Sequence, residues 1–527
     1  MLKEKEMPVM KCGPLRPIQR VMLIFPPFFD VKHVFDPMVC PPLGIASLAA
    51  YIRDRVDVAI LDCVAEAPGQ REPEGDLYER VGLSWDQILD CIRAFAPDMV
   101  GISCLFSNQF ACVRVLSEKI KREIDPDMVV VAGGTHPSFL AEQTLLKTAV
   151  DYVVLGEGEL GLAGILDAHN RGERVEEIDG IAFRGENGAI RVNQRTTWIE
   201  NLDDLPLPAR DLLPMEAYFK AGKPMAYHWR KRRNTPIVSS RGCPFGCPFC
   251  SSYLHWGKRF RTRSAENVLA EIAHLKSRYD IQELKWQDDN LTADRKRAMA
   301  IFRGMVDRGL TMPWNTPNGI ALWTIDDELM GLMKQSGCYQ ITLAVESGDP
   351  DTFAAYVKKP FSLDRAREVA RLAKKHGIST VAYFIIGFPG ETLEQVQRSM
   401  RFGLDLGVDY LVPFVFNPLP GSDLWRTCVE SGRITEDYAY EKGNHYHQAR
   451  LNVAAFDARE LELIQRRTYL RNLLRMPLRN PKEFAAWYGR QLFFQPDFLA
   501  LFAANIMDTG KLLFQKAMGR PAGTSSS

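Results

Sequence analysis

The sequence lacks any apolar run long enough to cross a bilayer, and residues 1–7 lack the apolar core of a secretory signal peptide. It also lacks an excess of charge of either sign: 66 Lys and Arg stand against 65 Asp and Glu, for a formal net charge of +1. A near-neutral chain has no electrostatic attraction for nucleic acid or for an anionic membrane. We therefore expect a cytoplasmic protein with no transmembrane segment that binds no nucleic acid.

Cysteine is scarce and unevenly distributed. There are 11 cysteines, an odd number, and three of them fall within the eight residues 243–250. In a reducing compartment this clustering favours metal ligation over a disulfide framework. The remaining cysteines occur singly, and we expect most of them to be small buried hydrophobic residues.

The first part of the chain has the pattern of a doubly wound α/β domain. At 527 residues the chain is longer than the roughly 250–300 residues at which a single core stops growing, which predicts more than one domain. Short apolar runs at 21–25, 57–61, 99–103, 128–132 and 152–155 alternate with stretches of helical periodicity. This pattern favours a parallel sheet covered on both faces, with ligands at the carboxyl ends of the strands.

A second strand–helix series follows a connecting region. The connector consists of a predicted hairpin turned by Asn187-Gly188 and a Pro- and Leu-rich stretch that predicts an extended linker. Six further units between residues 236 and 416 favour a partial, open (β/α)6 barrel. The predicted domains are 1–175 (doubly wound), 176–232 (hairpin and linker), 233–424 (barrel) and 425–527 (mainly helical, with a disordered tail at 522–527).

The strongest chemical signal is the segment Arg-Gly-Cys-Pro-Phe-Gly-Cys-Pro-Phe-Cys at residues 241–250. It places Cys243, Cys247 and Cys250 at C-x3-C-x2-C spacing. Three thiolates at this spacing can each bind one iron of a [4Fe–4S] cluster and leave the fourth iron open. A zinc site would need a fourth ligand, which His255 could supply, so zinc is the alternative.

This spacing resembles that of the radical S-adenosylmethionine (SAM) superfamily, in which an aromatic residue, here Phe249, precedes the third cysteine. The resemblance implies that the open iron chelates SAM and that reductive cleavage yields methionine and a 5′-deoxyadenosyl radical. It also implies an external one-electron reductant of the flavodoxin or ferredoxin type.

Other barrel segments are similar to the superfamily's SAM-contacting elements in order and spacing. Asp288 lies in Trp-Gln-Asp-Asp-Asn-Leu, similar to the segment at the SAM amino group, although an acidic helix cap explains it equally well. Glu346 and Ser347 lie in Val-Glu-Ser-Gly, which resembles the element near the ribose and methionine portion. Gly387 lies in Ile-Gly-Phe-Pro-Gly-Glu, which resembles a turn that shapes the adenine pocket.

The N-terminal domain carries a second set of motifs at its predicted strand ends. Ser-Cys-Leu at 103–105 and Gly-Gly-Thr-His at 133–136 resemble elements of cobalamin-binding domains, and small residues there let a large cofactor approach the backbone. Residues 41–44 and Gly-Glu-Gly-Glu at 156–159 look like companion segments of cobalamin-dependent radical SAM enzymes. The candidate cofactor-binding residues are Ser103, Leu105, Gly133, Gly134, Thr135, His136, Gly156 and Glu157.

Three qualifications accompany this second set. The Asp-x-His-x-x-Gly element that supplies a histidine to cobalt elsewhere is absent, which implies that the lower face of a bound cobalamin is not ligated by the loop at 62–64, or faces water. Residues 156–161 formally fit a dinucleotide fingerprint, but they follow the fifth strand and not the first, which disfavours a nicotinamide site. A lone histidine such as His136 is more often a hydrogen-bonded structural residue than a ligand.

The resemblance implies a cobalamin-dependent radical SAM enzyme, and we expect a methyltransferase that acts at an unreactive carbon of a small-molecule or natural-product substrate. In the implied mechanism, one SAM methylates cobalamin, and a second SAM yields the radical that activates the substrate. The alternatives are a cyclase or oxidative enzyme of the porphyrin-cyclase kind, and a non-catalytic cobalamin or iron–sulfur module. The aromatic and basic stretch at 487–502 favours a helical cap over a lipid-facing or substrate-gripping surface.

Overall fold

The computed structural model describes residues 15–31, 38–75, 78–185, 187–222, 228–435 and 453–485. The predictions for the aromatic stretch at 487–502 and for the tail at 522–527 lie outside the described residues. In the part of the chain that is described, none of the helices combines the length and the apolar character needed to span a membrane.

A seven-stranded sheet organises the N-terminal part of the chain, and a small antiparallel sheet lies beside it. The strands are β1 (Arg20–Phe25), β2 (Phe28–Val31), β3 (Asp57–Asp62), β4 (Arg71–Glu74), β5 (Tyr78–Val81), β6 (Met99–Ser103), β7 (Val129–Gly133), β8 (Tyr152–Val154), β9 (Ile181–Arg184) and β10 (Ile190–Asn193). The helices are α1 (Leu43–Ile52), α2 (Cys63–Glu66), α3 (Trp85–Phe95), α4 (Phe110–Glu123), α5 (Thr135–Phe139), α6 (Ala141–Lys147) and α7 (Gly158–Arg171).

The parallel part of the large sheet has the order β8–β7–β6–β1–β3, and this confirms the predicted doubly wound arrangement. This is the flavodoxin-like order, which places a ligand crevice at the carboxyl ends of β1 and β6. Alternate residues of each strand enter different cores. Val130 of β7 packs in the cluster that contains Leu116 of α4, whereas Val129 and Val131 pack in the cluster that contains Leu162 of α7.

The connecting region is folded and not extended. The β9–β10 hairpin pairs antiparallel with β8 and so extends the large sheet. The predicted extended linker contains helix α8 (Met215–Ala221), which packs between the two halves of the chain. The Tyr218 hydroxyl donates to Asp62 at 2.7 Å, and the Ala209 amide donates to the Ala46 carbonyl at 2.9 Å. These contacts join the region to the first sheet, and their partners are too distant in sequence for local patterns to reveal them.

The second half forms the predicted partial barrel. The elements are β11 (Asn234–Ile237), β12 (Ser240–Arg241), α9 (Ser252–Trp256), β13 (Arg261–Thr262), α10 (Ala265–Tyr279), β14 (Glu283–Trp286), α11 (Arg295–Asp307), β15 (Trp314–Thr316), α12 (Asp327–Ser336), β16 (Cys338–Glu346), α13 (Pro350–Thr352), α14 (Leu363–Lys375), β17 (Ser379–Ile386), α15 (Leu393–Asp405), β18 (Tyr410–Val415), α16 (Asp423–Glu430) and α17 (Ala458–Arg479). The parallel order β11–β14–β15–β16–β17–β18 confirms the six predicted units.

Helix α17 covers the last strand of this open sheet. The Asn472 side chain of α17 accepts from the Leu411 amide at 3.3 Å and donates to the Leu411 carbonyl at 2.6 Å. A side-chain amide that satisfies both backbone groups of an edge residue protects the sheet from further pairing. The antiparallel ribbon β12–β13 lies outside the barrel sheet and was not predicted, because each of its strands has only two residues.

Candidate active site

The three clustered cysteines lie on the loop between β12 and α9, beyond the carboxyl end of β11. We call residues 242–251 the cysteine loop. The loop begins at Gly242, whose φ is +92° and where an added Cβ would lie 2.0 Å from the Arg259 carbonyl oxygen, so only glycine fits. The Cys243 amide donates to the Gly257 carbonyl at 3.3 Å, which ties the loop to the residues after α9.

Two of the three sulfur atoms accept hydrogen bonds. The Asn290 side chain donates to Cys243 Sγ at 3.3 Å, and the Ser252 amide donates to Cys250 Sγ at 3.4 Å. Burial raises the pKa of Cys247 to about 11 and that of Cys250 to about 12, so both thiols are protonated in the protein alone. Iron binds thiolates, so iron binding must release these protons. Three such donors on one short loop fit three irons of a cubane cluster.

The zinc alternative finds no support among the described residues, where no three or more His, Cys, Asp or Glu side chains are grouped so that they could hold one metal ion. His255, the proposed fourth ligand, is buried, and its ring packs edge-on against Trp256 at 4.6 Å. Cubane ligands differ from zinc ligands because each binds a separate iron.

Lys359 is a charged residue beside the cysteine loop that sequence reasoning missed. Its ammonium donates to Glu346 Oε1 and to the Ala344 carbonyl, both at 2.7 Å, and its side chain is only 18% exposed. Burial raises the pKa of the Cys247 thiol, and the Lys359 charge opposes that rise. Lys359 lies outside the motifs identified in the sequence. It contacts Glu346 across the segment that contains α13.

Glu346 ends β16 in a strained conformation. Its φ of +69° lies in the left-handed region, and the pairing register with β17 shifts between Ala344 and Glu346. Such a conformation costs about 1–3 kcal/mol in a residue other than glycine and tends to occur at functional sites. Ser347 points into the protein: its hydroxyl lies 3.4 Å from that of Ser399 and accepts from the Asp349 amide at 3.2 Å. The predicted SAM contact of Ser347 stays a prediction.

The two adjacent aspartates after β14 have different surroundings. Asp288 is fully buried and accepts hydrogen bonds from the Ser239 amide and hydroxyl and from the Ser240 hydroxyl, so it fixes the backbone that leads into the cysteine loop. Asp289 accepts a hydrogen bond from the Ser252 hydroxyl. Burial is the main cause of the raised pKa of Cys250, and the Asp289 charge adds to it. Asp289 therefore faces the cysteine loop, although the sequence pattern singled out Asp288.

The turn after β17 contains Gly387 at a φ of +86°. An added Cβ would lie 2.7 Å from Leu461 of α17, so the turn and the C-terminal helix pack closely. The Glu391 carboxylate closes the turn by accepting from the Gly387 amide at 2.7 Å and the Phe388 amide at 3.1 Å, and burial raises its pKa to about 7. Phe249 of the cysteine loop packs against Phe388 at 6.1 Å, which brings this turn next to the loop.

The predicted cobalamin segments lie at the carboxyl ends of β6 and β7. Leu105 is 45% exposed and Phe106 is 48% exposed, and Gln109 Oε1 accepts from both of their amides at 3.0 and 3.1 Å. An added Cβ at Gly133, which pairs with Ser103, would meet nothing closer than 3.8 Å. Open space beside two exposed apolar side chains fits one face of a large cofactor.

Gly134 and His136 shape the neighbouring turn, in which Thr135 begins α5. Gly134 has a φ of +108°, and an added Cβ would lie 2.6 Å from the Cys104 carbonyl oxygen. His136 Nδ1 lies 3.0 Å from the Ser107 hydroxyl, its ring centroid lies 4.5 Å from that of Phe110, and burial lowers its pKa to about 4. His136 is therefore neutral and hydrogen-bonded within the protein, as a structural histidine would be. Its contact with a cofactor stays a prediction.

Asp62 ends β3 and begins the segment 62–64, which contains no histidine that could bind cobalt. Asp62 accepts from the Val64 and Ala65 amides, each at 3.0 Å, as well as from Tyr218, and burial raises its pKa to about 6. Its oxygens are thus engaged within the protein. The expected lack of a lower ligand from this loop stays a prediction.

Gly156 and Glu157 contact the second half of the chain. An added Cβ at Gly156, whose φ is +63°, would lie 2.9 Å from the His255 carbonyl oxygen. Glu157 is buried and forms an ion pair with Arg261 of β13, with oxygen–nitrogen distances of 2.5 and 3.1 Å. The loop after β8 and the residues that follow the cysteine loop are therefore in direct contact, so strand-end loops of the two sheets meet.

Comparison with known protein families finds a separate match for each half of the chain. Residues 37–166 match the B12 binding domain, and residues 237–403 match the radical SAM superfamily. In a solved structure, the radical SAM methyltransferase TsrM from Kitasatospora setae, with cobalamin and a [4Fe–4S] cluster bound, has a similar fold. The TM-score is 0.62 at 18% identity, and the match covers 78% of each chain.

Similarity to full-length proteins extends across both halves. The chain is 33% identical over 419 residues to a protein named as an uncharacterized methyltransferase from Pyrococcus horikoshii, covering 79% of this chain and 84% of that one. It is 33% identical over 467 residues to the cytidylyl-2-hydroxyethylphosphonate methyltransferase of Streptomyces wedmorensis, covering 83% and 86%. It is 28% identical over 410 residues to the anaerobic magnesium-protoporphyrin IX monomethyl ester cyclase of Rubrivivax gelatinosus, covering 77% and 68%.

The domain order, the cysteine loop and these matches define a radical SAM enzyme with an N-terminal B12 domain. The chain belongs to the cobalamin-dependent radical SAM enzymes, as the sequence motifs predicted. Its cofactors are a [4Fe–4S] cluster, SAM and cobalamin.

Proposed function

We propose that this enzyme is a methyltransferase that acts at an unreactive carbon of a small-molecule substrate. The observation that carries the proposal is the 33% identity to the cytidylyl-2-hydroxyethylphosphonate methyltransferase and to a second protein named as an uncharacterized methyltransferase. Both matches are too long to cover only the shared radical SAM barrel. The contact of Gly156 with His255 supports it, because methyl transfer to a substrate radical needs both cofactors at one cavity.

In this proposal the carboxyl edges of the two large sheets bind different cofactors. Cys243, Cys247 and Cys250 hold the cluster, and Phe249 packs beside it. Asp289, Glu346 and the turn at Gly387 bind SAM, while Asp288 and Ser347 hold the backbone that positions them. The cobalamin contacts come from Ser103, Leu105, Gly133, Gly134 and Thr135. When bound, the cluster and SAM supply a substrate-activating radical, and cobalamin supplies methyl-transfer chemistry.

The chain's own residues set the electrostatics around the cluster. The thiols of Cys247 and Cys250 must lose their protons to bind iron, and the nearby Lys359 ammonium favours the thiolate forms. The strained backbone at Glu346 holds a carboxylate at the barrel edge, where it can accept hydrogen bonds from ribose hydroxyls. An external one-electron reductant of the flavodoxin or ferredoxin type would deliver the electron.

The test uses anaerobically reconstituted enzyme, a strong one-electron reductant and methyl-deuterated SAM. Cytidylyl-2-hydroxyethylphosphonate is the first substrate to try, because it is named for one of the relatives. We expect label in the product together with comparable amounts of S-adenosylhomocysteine and 5′-deoxyadenosine, since methyl transfer consumes SAM by both routes. If no substrate in a panel of phosphonates and other small molecules accepts label, the proposal is contradicted.

A second candidate function is ring formation or oxidation without methyl transfer. The similarity to the magnesium-protoporphyrin IX monomethyl ester cyclase supports it, at a lower identity of 28%. It predicts 5′-deoxyadenosine without S-adenosylhomocysteine in the same assay. A failure to cleave SAM at all, even under strong reductant, would favour a non-catalytic module.

A further inference from the structure

The cysteine loop emerges from a two-stranded ribbon whose arginines point toward the cobalamin domain. In this ribbon Arg241 of β12 pairs with Arg261 of β13, so the two residues that bracket the cysteine loop and α9 lie side by side. Arg241 is only two residues before Cys243. Any displacement of the ribbon would therefore move the cysteine loop with it.

Two carboxylates of the cobalamin domain receive these arginines. Arg241 Nη2 donates to Glu159 Oε1 at 2.6 Å, and Arg241 Nη1 lies 3.6 Å from Glu157 Oε2. Arg261 forks onto both oxygens of Glu157 at 2.5 and 3.1 Å. The two glutamates lie at the start of α7, just after β8, and both are buried, as is Arg261. We call these four residues the Glu–Arg cluster.

The surroundings hold the Glu–Arg cluster firmly. Arg261 also donates to the Ile199 carbonyl at 2.8 Å and the Trp256 carbonyl at 2.7 Å, so its position is fixed from three sides. Gly156 and Gly242 remove side chains where the two halves of the chain approach each other and where the cysteine loop begins. Buried charges are tolerated when paired, and leaving one unpaired is strongly unfavourable. The ion pairs therefore resist any relative motion of the ribbon and the cobalamin domain.

We infer that Glu157 and Glu159 are positioning residues that clamp the cysteine loop to the cobalamin domain and so set the distance between cluster and cobalamin. This assignment gives the Gly-Glu-Gly-Glu segment a role different from cobalamin contact, because the carboxylate oxygens of Glu157 are engaged by Arg261 and Arg241. It rests on the proposed ligation of the cluster by the three cysteines and is independent of methyl transfer.

Glu271 offers a matched control. It is also a buried carboxylate between two arginines: it accepts from Arg210 at 2.7 Å and pairs with Arg263. Its partners belong to the linker and to the barrel, and Glu271 forms no ion pair with the described residues of the cobalamin domain. Replacing it creates a comparable buried defect without touching the clamp.

The experiment compares wild type, Glu157→Gln/Glu159→Gln and Glu271→Gln after reconstitution with iron, sulfide and hydroxocobalamin. Pulsed dipolar electron paramagnetic resonance between the reduced cluster and cob(II)alamin reports their distance distribution. We expect a narrow distribution in wild type and in Glu271→Gln, and a distribution at least twice as broad in the double variant, with iron and cobalt contents unchanged. An unchanged distribution in the double variant would overturn the clamp, and so would loss of cobalt with an unchanged cysteine loop.

Hydrogen exchange in the cofactor-free protein provides a readout that needs neither metal. Residues 240–262 should exchange roughly tenfold faster in the double variant than in wild type, with no such change in Glu271→Gln. Equal exchange rates in all three proteins would overturn the inference. If the double variant does not accumulate, Arg241→Lys, which keeps the charge but lacks the guanidinium that lies between Glu157 and Glu159, carries the same test with the same expected direction. A wild-type protein that binds cobalt but no iron would refute the cysteine ligation and leave the exchange test of the clamp intact.

Discussion

The parallel strands of the two large sheets end in very different surfaces. The carboxyl edge of the first sheet presents glycines and exposed apolar side chains, such as Gly133, Leu105 and Phe106. The carboxyl edge of the second presents cysteines and a largely buried ion pair, Lys359 with Glu346. We therefore expect the same strand-end geometry to bind cobalamin at one edge and the cluster with SAM at the other.

The largest expected effect is a loss of iron that leaves cobalamin binding intact. Cys243→Ala should abolish the iron–sulfur absorption of the reconstituted enzyme, because a cubane held by two cysteines is lost, while cobalamin absorption remains. Cys338→Ala is the control, since Cys338 is equally part of the barrel but lies at the amino end of β16 and is buried. Retention of the full iron–sulfur absorption in Cys243→Ala would show that Cys243 does not hold the cluster.

Lys359→Met tests the charged character of the barrel edge. It leaves the Glu346 carboxylate without its cation, so the free energy of unfolding of the cofactor-free protein should fall by about 3 kcal/mol. Denaturant titration measures the loss, and Lys359→Arg should restore part of it. A loss below about 0.5 kcal/mol would mean that this ion pair behaves like an ordinary surface pair.

Glu391 predicts a pH dependence at the same edge. Burial raises its pKa from 4.5 to about 7 in the folded protein, so the folded state binds the proton more tightly than the unfolded state. The stability that this group contributes is therefore fully present below pH 4.5 and is lost as the pH rises through about 7. A shift of this size corresponds to about 3 kcal/mol across the window.

The measurement is the free energy of unfolding of the cofactor-free protein between these two pH values, in wild type and in Glu391→Gln. We expect wild type to lose stability with rising pH and the variant to lose less, because glutamine does not titrate. Parallel pH profiles for the two proteins would show that Glu391 titrates normally.

Gly134→Ala probes the cobalamin edge and has the smallest expected effect on stability. A methyl group at a φ of +108° and 2.6 Å from the Cys104 carbonyl forces the turn to shift, at a cost of about 1–3 kcal/mol. Cobalamin should bind at least roughly tenfold more weakly, with iron content unchanged. Gly172→Ala, at a φ of +68° in open space, is the matched control and should bind cobalamin normally. Equal cobalamin affinity in both variants would place the cofactor elsewhere.

Sequence patterns predicted the two sheets well because their strands are short apolar runs buried on both faces, as at β7. They missed β4, whose residues Arg-Glu-Pro-Glu carry no apolar signal, and helix α8, which is stabilised by contacts such as Tyr218 with Asp62. Tertiary contacts set these elements, and one sequence does not reveal them.

The same limit applies to the site. The cysteine loop was evident from spacing, because its three candidate ligands are close together in the sequence. Lys359 and Asp289 acquire their importance from partners elsewhere in the chain, and the ion pairs of Glu157 join residues about a hundred positions apart. Motif resemblance singled out candidate segments, whereas the direction of each side chain required the fold.

The central claim is that the cluster and cobalamin bind at separate sheet edges of one chain. The most direct test is to count iron and cobalt per chain in parallel in wild type, Cys243→Ala and Gly134→Ala. We predict about four irons and about one cobalt in wild type, loss of iron alone in the first variant and a lowered cobalt count alone in the second. Loss of both metals together in either variant would contradict the account.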